Sequence, residues 1–363
     1  MRRTYRAALR NIAVTASGSL ALLLAGCEMP LALDPRGPAA AEIARIWWLL
    51  FWTATVVSIV VFVLLGVALV RARALAREQD AADERRRRSV EHGADDGDAQ
   101  RDVPVSWLEG RTSKFVVIGG GVIPAIILLG ATYLTLTGLA VFDGSPDDVD
   151  LTIVVTGHMF WWEVEYPDHG FTTANEMHVP VGSRVRVELE SADVIHSFWV
   201  PQLHGKIEMV PGRSNVMYIE ADEPGVYFGK CAEFCGQQHA NMEFLYIVEA
   251  PGAFEAWAEA QAEDAAEPAT DLGLRGREVF VESPCALCHT IRGVSTAAAP
   301  VGPDLTHLGT RQTLAARTLV NVRGNLGGWI LDPQGIKPGN RMPAVSLESE
   351  DFLALLEYLD GLR

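Results

Sequence analysis

Two stretches of the chain are apolar without interruption, and most of the remainder alternates. Residues 46–70, IWWLLFWTATVVSIVVFVLLGVALV, hold no charged side chain, and neither do residues 115–140. At about 1.5 Å of rise per residue, a helix of either length crosses a hydrocarbon core of about 30 Å, so the pattern predicts a transmembrane hairpin. Trp47, Trp48 and Trp52 stand where an interfacial aromatic belt would, and Pro124 is tolerable inside the second span if neighbouring groups satisfy the backbone it frees. The polar loop between the spans, 71–114, carries Arg71, Arg73, Arg77 and Arg85 to Arg88, the densest positive patch in the chain. The positive-inside bias therefore makes this loop cytoplasmic and puts both flanks outside. Its EHGADDGDAQRD stretch reads as disordered and holds no chemistry.

Over 149–250 the period changes to two. The runs LTIVVTG, RVRVELE, VIHSFWV, NVMYIEA, VYFG and FLYIVEA, separated by Pro, Gly and Asp, predict short strands of an antiparallel sandwich, which delivers ligands from the loops at one end. Residues 251–270 are rich in Ala and Glu and read as a partly helical linker. A further domain follows over 271–363 and closes on the amphipathic run LESEDFLALLEYLDGL.

Composition agrees with a membrane protein of several domains: 363 residues, 49% of them hydrophobic. The formal charge of -16 argues against nucleic acid as a partner, because phosphate binding needs clustered positive charge. At the N-terminus, MRRTYRAALR is basic, residues 12–24 are apolar, and LLAGC ends on Cys27. Residues 1–26 therefore read as an export signal of the lipoprotein type, with Cys27 as the lipidated mature residue and 27–45 as an external segment. This accounts for the odd member of the five cysteines.

The other four cysteines lie in two chemical motifs. GKCAEFCGQQHANMEF packs Cys231, Cys235, His239 and Met242 into twelve residues. A disulfide leaves His239 and Met242 unexplained, and zinc has little use for a thioether. Thiolate, imidazole and thioether together suit copper in electron transfer. Two thiolates on one loop can bridge two copper ions, each completed by a histidine and a weaker ligand. The second histidine comes from elsewhere, with His196 in SADVIHSFWVPQ the best candidate and His158, His169, His178 and His204 the alternatives. The second motif, Cys285-Ala-Leu-Cys288-His289, is the attachment signature of a c-type haem. Met342 is the one methionine beyond Met242 and the expected sixth ligand, with His307 the rival; a Met/His pair raises the haem potential into the range useful for electron transfer.

ADVIHSFWVP, Pro211 to Arg213 and CAEFCGQQHANM closely resemble subunit II of haem-copper cytochrome c oxidases, over residues 40 to 250. Residues 271–363, with CALCH, VGPDLTHLGTR and the terminal helix, resemble a class I cytochrome c, so that the whole looks like a caa3-type fusion. The resemblance implies a two-helix transmembrane hairpin, an all-β cupredoxin-like Greek-key sandwich and an all-α class I cytochrome c domain. It implies a binuclear CuA centre held by His196, Cys231, Cys235, His239, Met242 and the backbone carbonyl of Glu233, whose carboxylate also helps to hold magnesium at the interface with subunit I. In the second domain it implies haem c bound covalently through Cys285 and Cys288 with His289 and Met342 axial, the Pro303 carbonyl orienting His289, and Phe280 packing on Tyr358. The partners implied are oxidase subunits I and III and a soluble or membrane cytochrome c or bc1-type donor, at a bacterial plasma membrane with both large domains on the periplasmic or extracellular side. The intact copper ligand set argues against a quinol oxidase.

Two departures from the family pattern matter. In GHMFWWEVEY the electron-accepting aromatics are Phe160, Trp161 and Trp162, with Phe160 where relatives carry the first tryptophan. Near the start of the second span, where many relatives have a proton-path glutamate, Lys114, Phe115, Val116 and Val117 stand instead. A tethered cytochrome explains the first departure: held at an effective concentration of about millimolar by a short flexible linker, it removes the need for a diffusing donor to dock on the copper domain. The reading is the electron-input subunit of an oxidase that reduces oxygen to water in subunit I and translocates protons. The alternatives are the CuA subunit of a nitric oxide reductase and a free-standing membrane-anchored carrier or copper store.

Overall fold

The computed structural model describes residues 31–91, 113–142, 148–299 and 301–363. The segment read as an export signal, Cys27 and part of the polar loop lie outside them. The chain divides into two compact units, residues 42–143 and a larger unit formed by 144–363 with the N-terminal segment.

In the smaller unit, helix α1 (Pro38–Glu91) runs for 54 residues, through the first apolar span and on into the arginine-rich segment. Helix α2 (Ser113–Val141) carries the second span, and both are long and apolar enough to cross a membrane. Pro124 is accommodated within α2 by a π-turn at Ile118–Val122, where the Ile123 amide reaches back to the Ile118 carbonyl. The wider turn relieves the clash that the proline ring would otherwise make with the carbonyl four residues back.

The larger unit opens with a sandwich of two five-stranded sheets. One runs in the order β3 (Phe171–Ala174), β2 (Trp161–Tyr166), β1 (Leu151–His158), β5 (Val185–Ser191) and β8 (Asn215–Ile219). The other runs β4 (Glu176–Pro180), β10 (Glu243–Glu249), β9 (Gly225–Cys231), β6 (His196–Trp199) and β7 (Ile207–Met209). The alternation in β1 and β5 puts Ile153, Val155, Val187 and Leu189 in the core and polar side chains outside. Strand β10 is different: Phe244 to Val248 are all buried, so both its faces are covered. The sandwich is mixed rather than purely antiparallel, because β1 pairs with β5 and β10 with β4 in parallel. Side-chain alternation has the same period in either direction, so it carries no information on strand polarity.

Helix α3 (Pro251–Ala262) follows directly, with Pro251 in its first turn, where the missing N–H costs nothing. It is seated on the sandwich rather than loose. Phe254 and Ala258, four residues apart and so on one face, are buried, and Trp257 stacks on His178 at 4.0 Å and packs on Tyr166 and Phe171. The extended stretch after it is gripped by Arg292, which donates to the carbonyls of Gln261 and Glu263.

The C-terminal domain is built on the crossing of α4 (Asp271–Glu282) and α8 (Ser349–Asp360). Thr270 caps α4 by accepting the Gly273 amide at 3.0 Å. At the crossing Phe280 meets Tyr358, with ring centroids 6.3 Å apart. Between these helices come the single turn α5 (Cys285–Cys288), the hairpin β11–β12 (Thr313–Leu314 and Leu319–Val320), α6 (Arg323–Leu331) and the short α7 (Pro333–Ile336). Three successive residues of the hairpin turn, Ala315, Ala316 and Arg317, are left-handed, with φ of 52°, 54° and 64°.

Candidate metal centre and haem pocket

The first candidate site forms where β6, the end of β9 and the start of β10 converge. His196 opens β6, Cys231 closes β9, and their strands are registered by the pairing of Phe198 with Cys231. The loop then turns back through Cys235 to a 3-10 turn at His239–Asn241, and the Cys231 amide donates to the Met242 carbonyl at 2.9 Å. The donor atoms repeat pairwise. Cys231 Sγ lies 3.8 Å from His196 Nδ1, Cys235 Sγ lies 3.8 Å from His239 Nδ1, and the sulfurs are 3.8 Å apart. Each sulfur also has one weaker donor beside it: the Glu233 carbonyl 3.1 Å from Cys231, and Met242 Sδ 3.8 Å from Cys235.

A disulfide needs sulfurs at about 2.0 Å, so this separation belongs to two thiols. Bonds of about 2.0–2.3 Å in tetrahedral geometry place neighbouring donors about 3.5 Å apart, close to the spacing found. Two sulfurs, two imidazoles and two weaker donors are a set that fits a pair of soft ions better than one. His196, Cys231 and Cys235 are all buried, which favours thiolate bound to a metal over thiolate in water.

The electrostatics support the same centre. The hydrogen bond shared with Cys235, helped by that to His196, holds the Cys231 thiol well below the usual thiol range against the penalty of burial, while the same shared bond and burial hold Cys235 up. Burial opposes a charge on His196, but Asp193 and Cys231 raise it above the usual imidazole range. Asp193 Oδ1 lies 2.9 Å from His196 Nε2, and its carboxylate also accepts the amides of Met159 and Val194, both at 2.8 Å. Against the penalty of burial these bonds bring Asp193 down to about 2. Asp193 escaped the sequence reading, although its place three residues before His196 was a usable signal. It fixes the ring orientation, as outer partners of ligand histidines do.

The alternative histidines are elsewhere. His178 faces Glu249 at 3.1 Å, His204 faces the Gly205 carbonyl at 3.0 Å, and His169 sits among Tyr166, Phe171 and Phe254. His158 stacks on Trp161 at 4.4 Å, and burial depresses it to about 4.

The second site is a cavity of 370 Å³ in the C-terminal domain, lined by Cys285, Cys288, His289 and Met342 with Phe280, Trp329 and Leu359 among its apolar walls. His289 Nδ1 donates to the Pro303 carbonyl at 2.8 Å, which leaves Nε2 as the nitrogen that could ligate a metal. His307 does not line this cavity; its Nε2 donates to the Glu263 carbonyl at 3.1 Å. An apolar slot with two thiols, a pre-oriented imidazole and a thioether fits a covalently bound haem.

One position guards the histidine. A Cβ added to Gly302 would stand 2.6 Å from His289 Cε1 and 2.8 Å from Nδ1. Gly302→Ala is therefore expected to displace the ring or Pro303, at about 1–3 kcal/mol of strain. The absorption spectrum of the haem-loaded chain checks this, and an unaltered spectrum would mean that His289 has more room than the structure allows.

The cavity wall is not made by one domain alone. Met159, Phe160, Trp161 and Asn175 of the sandwich also line it. Of the three aromatics singled out in the sequence, Phe160 and Trp161 reach the cavity. Trp162 points the other way, fully buried in the sandwich core with its edge on Phe198 and Phe244.

Comparison with known proteins agrees with this organisation. Residues 170–250 match the family described as cytochrome c oxidase subunit II, periplasmic domain, and residues 274–363 match the cytochrome c family. The chain is 40% identical over 353 residues to cytochrome c oxidase subunit 2 of Alkalihalophilus pseudofirmus, covering 95% of both chains. It is 34% identical over 269 residues to the protein of the same name from Bacillus subtilis, covering 69% of this chain and 75% of that one. Among solved structures, the periplasmic domain of subunit II of the cytochrome oxidase of Bradyrhizobium japonicum is 36% identical, covering 31% of this chain and 94% of that one with a TM-score of 0.31. With one domain of each kind behind two membrane-length helices, this chain belongs to the cytochrome c oxidase subunit 2 family, as a member that carries copper and haem domains together.

Proposed function

We propose that this subunit takes electrons from a cytochrome c or bc1-type donor into its own haem c, passes them to a CuA pair, and delivers them to the haem-copper site of subunit I, where oxygen is reduced to water and protons are translocated. The observation that carries this reading is the shared wall: Phe160 belongs to the sandwich, lines the haem cavity, and lies against the copper loop, since a Cβ on Gly236 would meet its Cζ at 3.1 Å. One buried ring thus stands between the two sites.

In this reading His196, Cys231, Cys235, His239, Met242 and the Glu233 carbonyl hold the copper pair, and Cys285, Cys288, His289 and Met342 hold the haem. When bound, each group supplies a centre that takes up and gives up single electrons. The chain's own residues do the rest. Cys231 and Cys235 give up their protons to bind, Asp193 and Pro303 orient the two histidines, and Trp162, Phe198 and Phe244 keep water from the inner side of the copper loop. The Glu233 carboxylate contributes to a magnesium site facing subunit I. Phe234, beside it, is 76% exposed, which suits a surface that a partner subunit covers. Subunit I and subunit III are the partners within the membrane, with both large domains on the periplasmic or extracellular side.

The test is turnover of the complex assembled with a chain ending at residue 250. Removing the haem domain is expected to cut turnover with the native donor at least tenfold, since an intramolecular donor becomes a diffusing one of about micromolar concentration. Soluble cytochrome c driving the shortened complex as fast as the intact one would show that the fused haem is dispensable.

A further inference from the structure

Lys337 is buried to 2% exposure, and nothing in the electron-transfer reading uses it. Its Nζ donates to three backbone carbonyls: Phe160 at 3.0 Å, Asn241 at 2.8 Å and Ala315 at 2.7 Å. Two of these belong to the sandwich and one to the haem domain. Burial pushes Lys337 down to about 7, yet three converging carbonyl oxygens are what the ammonium, with its three N–H donors, satisfies completely. A buried charge placed this way is costly unless its geometry is held, so it acts as a specificity device.

The places it joins are informative. Phe160 is the ring between the haem cavity and the copper loop, and Asn241 immediately precedes Met242. On the haem side, Lys337 sits on the loop that presents Met342. Asn340 ties that loop together, donating to the Pro333 and Lys337 carbonyls, both at 2.7 Å, and accepting the Met342 amide at 2.7 Å. Gln334 adds a bond to the Met342 carbonyl at 2.9 Å. The copper loop grips the same segment, because Gln238 donates to the Pro338 carbonyl at 2.9 Å.

Around this pin the domains meet through specific pairs. Buried Glu176 accepts the Gln312 and Thr313 amides at 3.0 and 2.8 Å. Arg317 pairs with Glu243 and covers the Phe228 ring at 4.0 Å, and Arg341, next to Met342, reaches Asp193 at 3.2 Å. The left-handed residues of the hairpin turn direct Ala315's carbonyl at Lys337 and Ala316's at the Glu243 amide, 3.4 Å away. Three such residues in a row cost free energy that a mere tether would not need.

We propose that Lys337 is the positioning residue for electron transfer between the domains: by joining the Phe160, Asn241 and Ala315 carbonyls it locks the Met342 loop of the haem against the copper loop in one register. This rests on the haem-to-copper reading above.

The test uses the intact oxidase with Lys337→Met and Lys337→Gln. Electrons are delivered to the haem by a photo-activated small-molecule reductant, and the haem-to-copper step is timed optically. Lys337→Met is expected to slow that step at least tenfold, about the scale of loss when reacting groups shift by a fraction of an ångström to 1 Å. Haem reduction by the small molecule, the haem spectrum and the copper resonance are expected to stay at wild-type values. Lys337→Gln, which keeps two N–H donors on a shorter stem, is expected to fall between. Amide exchange at Gln312 and Thr313, whose bonds cross the interface, is expected to accelerate in Lys337→Met without any change at the strands of the sandwich core. Transfer at the wild-type rate in either variant with both centres filled overturns the proposal, and if Lys337→Met does not assemble, Lys337→Gln decides. A wild-type complex that shows no haem-to-copper step at all would instead sink the functional reading, and this inference with it.

Discussion

Replacing Cys235 by serine in the intact complex is expected to abolish the paired copper centre and, with it, nearly all turnover. Cys235 stands between Cys231, His239 and Met242, each 3.8 Å from its sulfur, so no other donor can take its place. A serine oxygen is a harder ligand and does not bridge soft copper as a thiolate does. Losing even an outer partner of a metal ligand costs about 10–100-fold, so loss of the shared ligand is expected to exceed about 100-fold. Metal analysis would show less copper per chain, and electron paramagnetic resonance would lose the hyperfine pattern of one electron spread over two copper nuclei. Met242→Leu is the useful contrast. It keeps the volume and removes only the thioether, so both coppers are expected to remain with a changed potential. A Cys235→Ser protein that kept the paired signal would show that the bridging geometry is wrong.

The second large effect is on stability. A Cβ on Gly276 would stand 2.0 Å from the Ala354 carbonyl oxygen, 2.6 Å from its carbon and 2.7 Å from Tyr358 Cβ. The α4–α8 crossing is thus closer than any other residue permits. Alanine in place of a mid-helix glycine ordinarily gains about 0.5–1 kcal/mol. Here the atoms struck are mostly backbone and cannot rotate away, so overpacking wins and Gly276→Ala is expected to cost about 2 kcal/mol net. For a domain of this size that is a fall of roughly 8–16 °C in the thermal midpoint of haem-domain unfolding. Calorimetry of the haem-loaded chain reads it directly, with the sandwich transition as an internal control. A midpoint that stays or rises would mean that the helices part easily at this point.

Much of this architecture was open to reading because its determinants are local. A span needs only a run of apolar residues, and a c-type haem site needs five consecutive positions from Cys285 to His289. Four copper-binding candidates fall within twelve residues, and the Phe280–Tyr358 contact and the Pro303 bond to His289 both occur as the cytochrome c pattern implied. Strands β2, β3, β4 and β7 were missed for a physical reason too. In β2 the run WWEVEY is dominated by aromatics that drew a functional reading, and β7 is only three residues long. Helix α3 looked like a polar tether because its buried stripe is just Phe254, Ala258 and Gln261, with Trp257 half-buried beside it.

Residue type at short spacing was enough to mark which elements are long and apolar enough to cross a membrane, which side chains are candidates for copper and haem, and the order of the domains. How the sandwich and the C-terminal domain are joined is legible in the folded chain alone. The Lys337 bond to Phe160 spans 177 positions and the Arg341 bond to Asp193 spans 148, and no periodicity connects residues so far apart. Their partners are backbone carbonyls and carboxylates that exist everywhere along the chain. What singles them out is the convergence of the hairpin turn, the Met342 loop and the copper loop, a property of packing that local pattern does not encode.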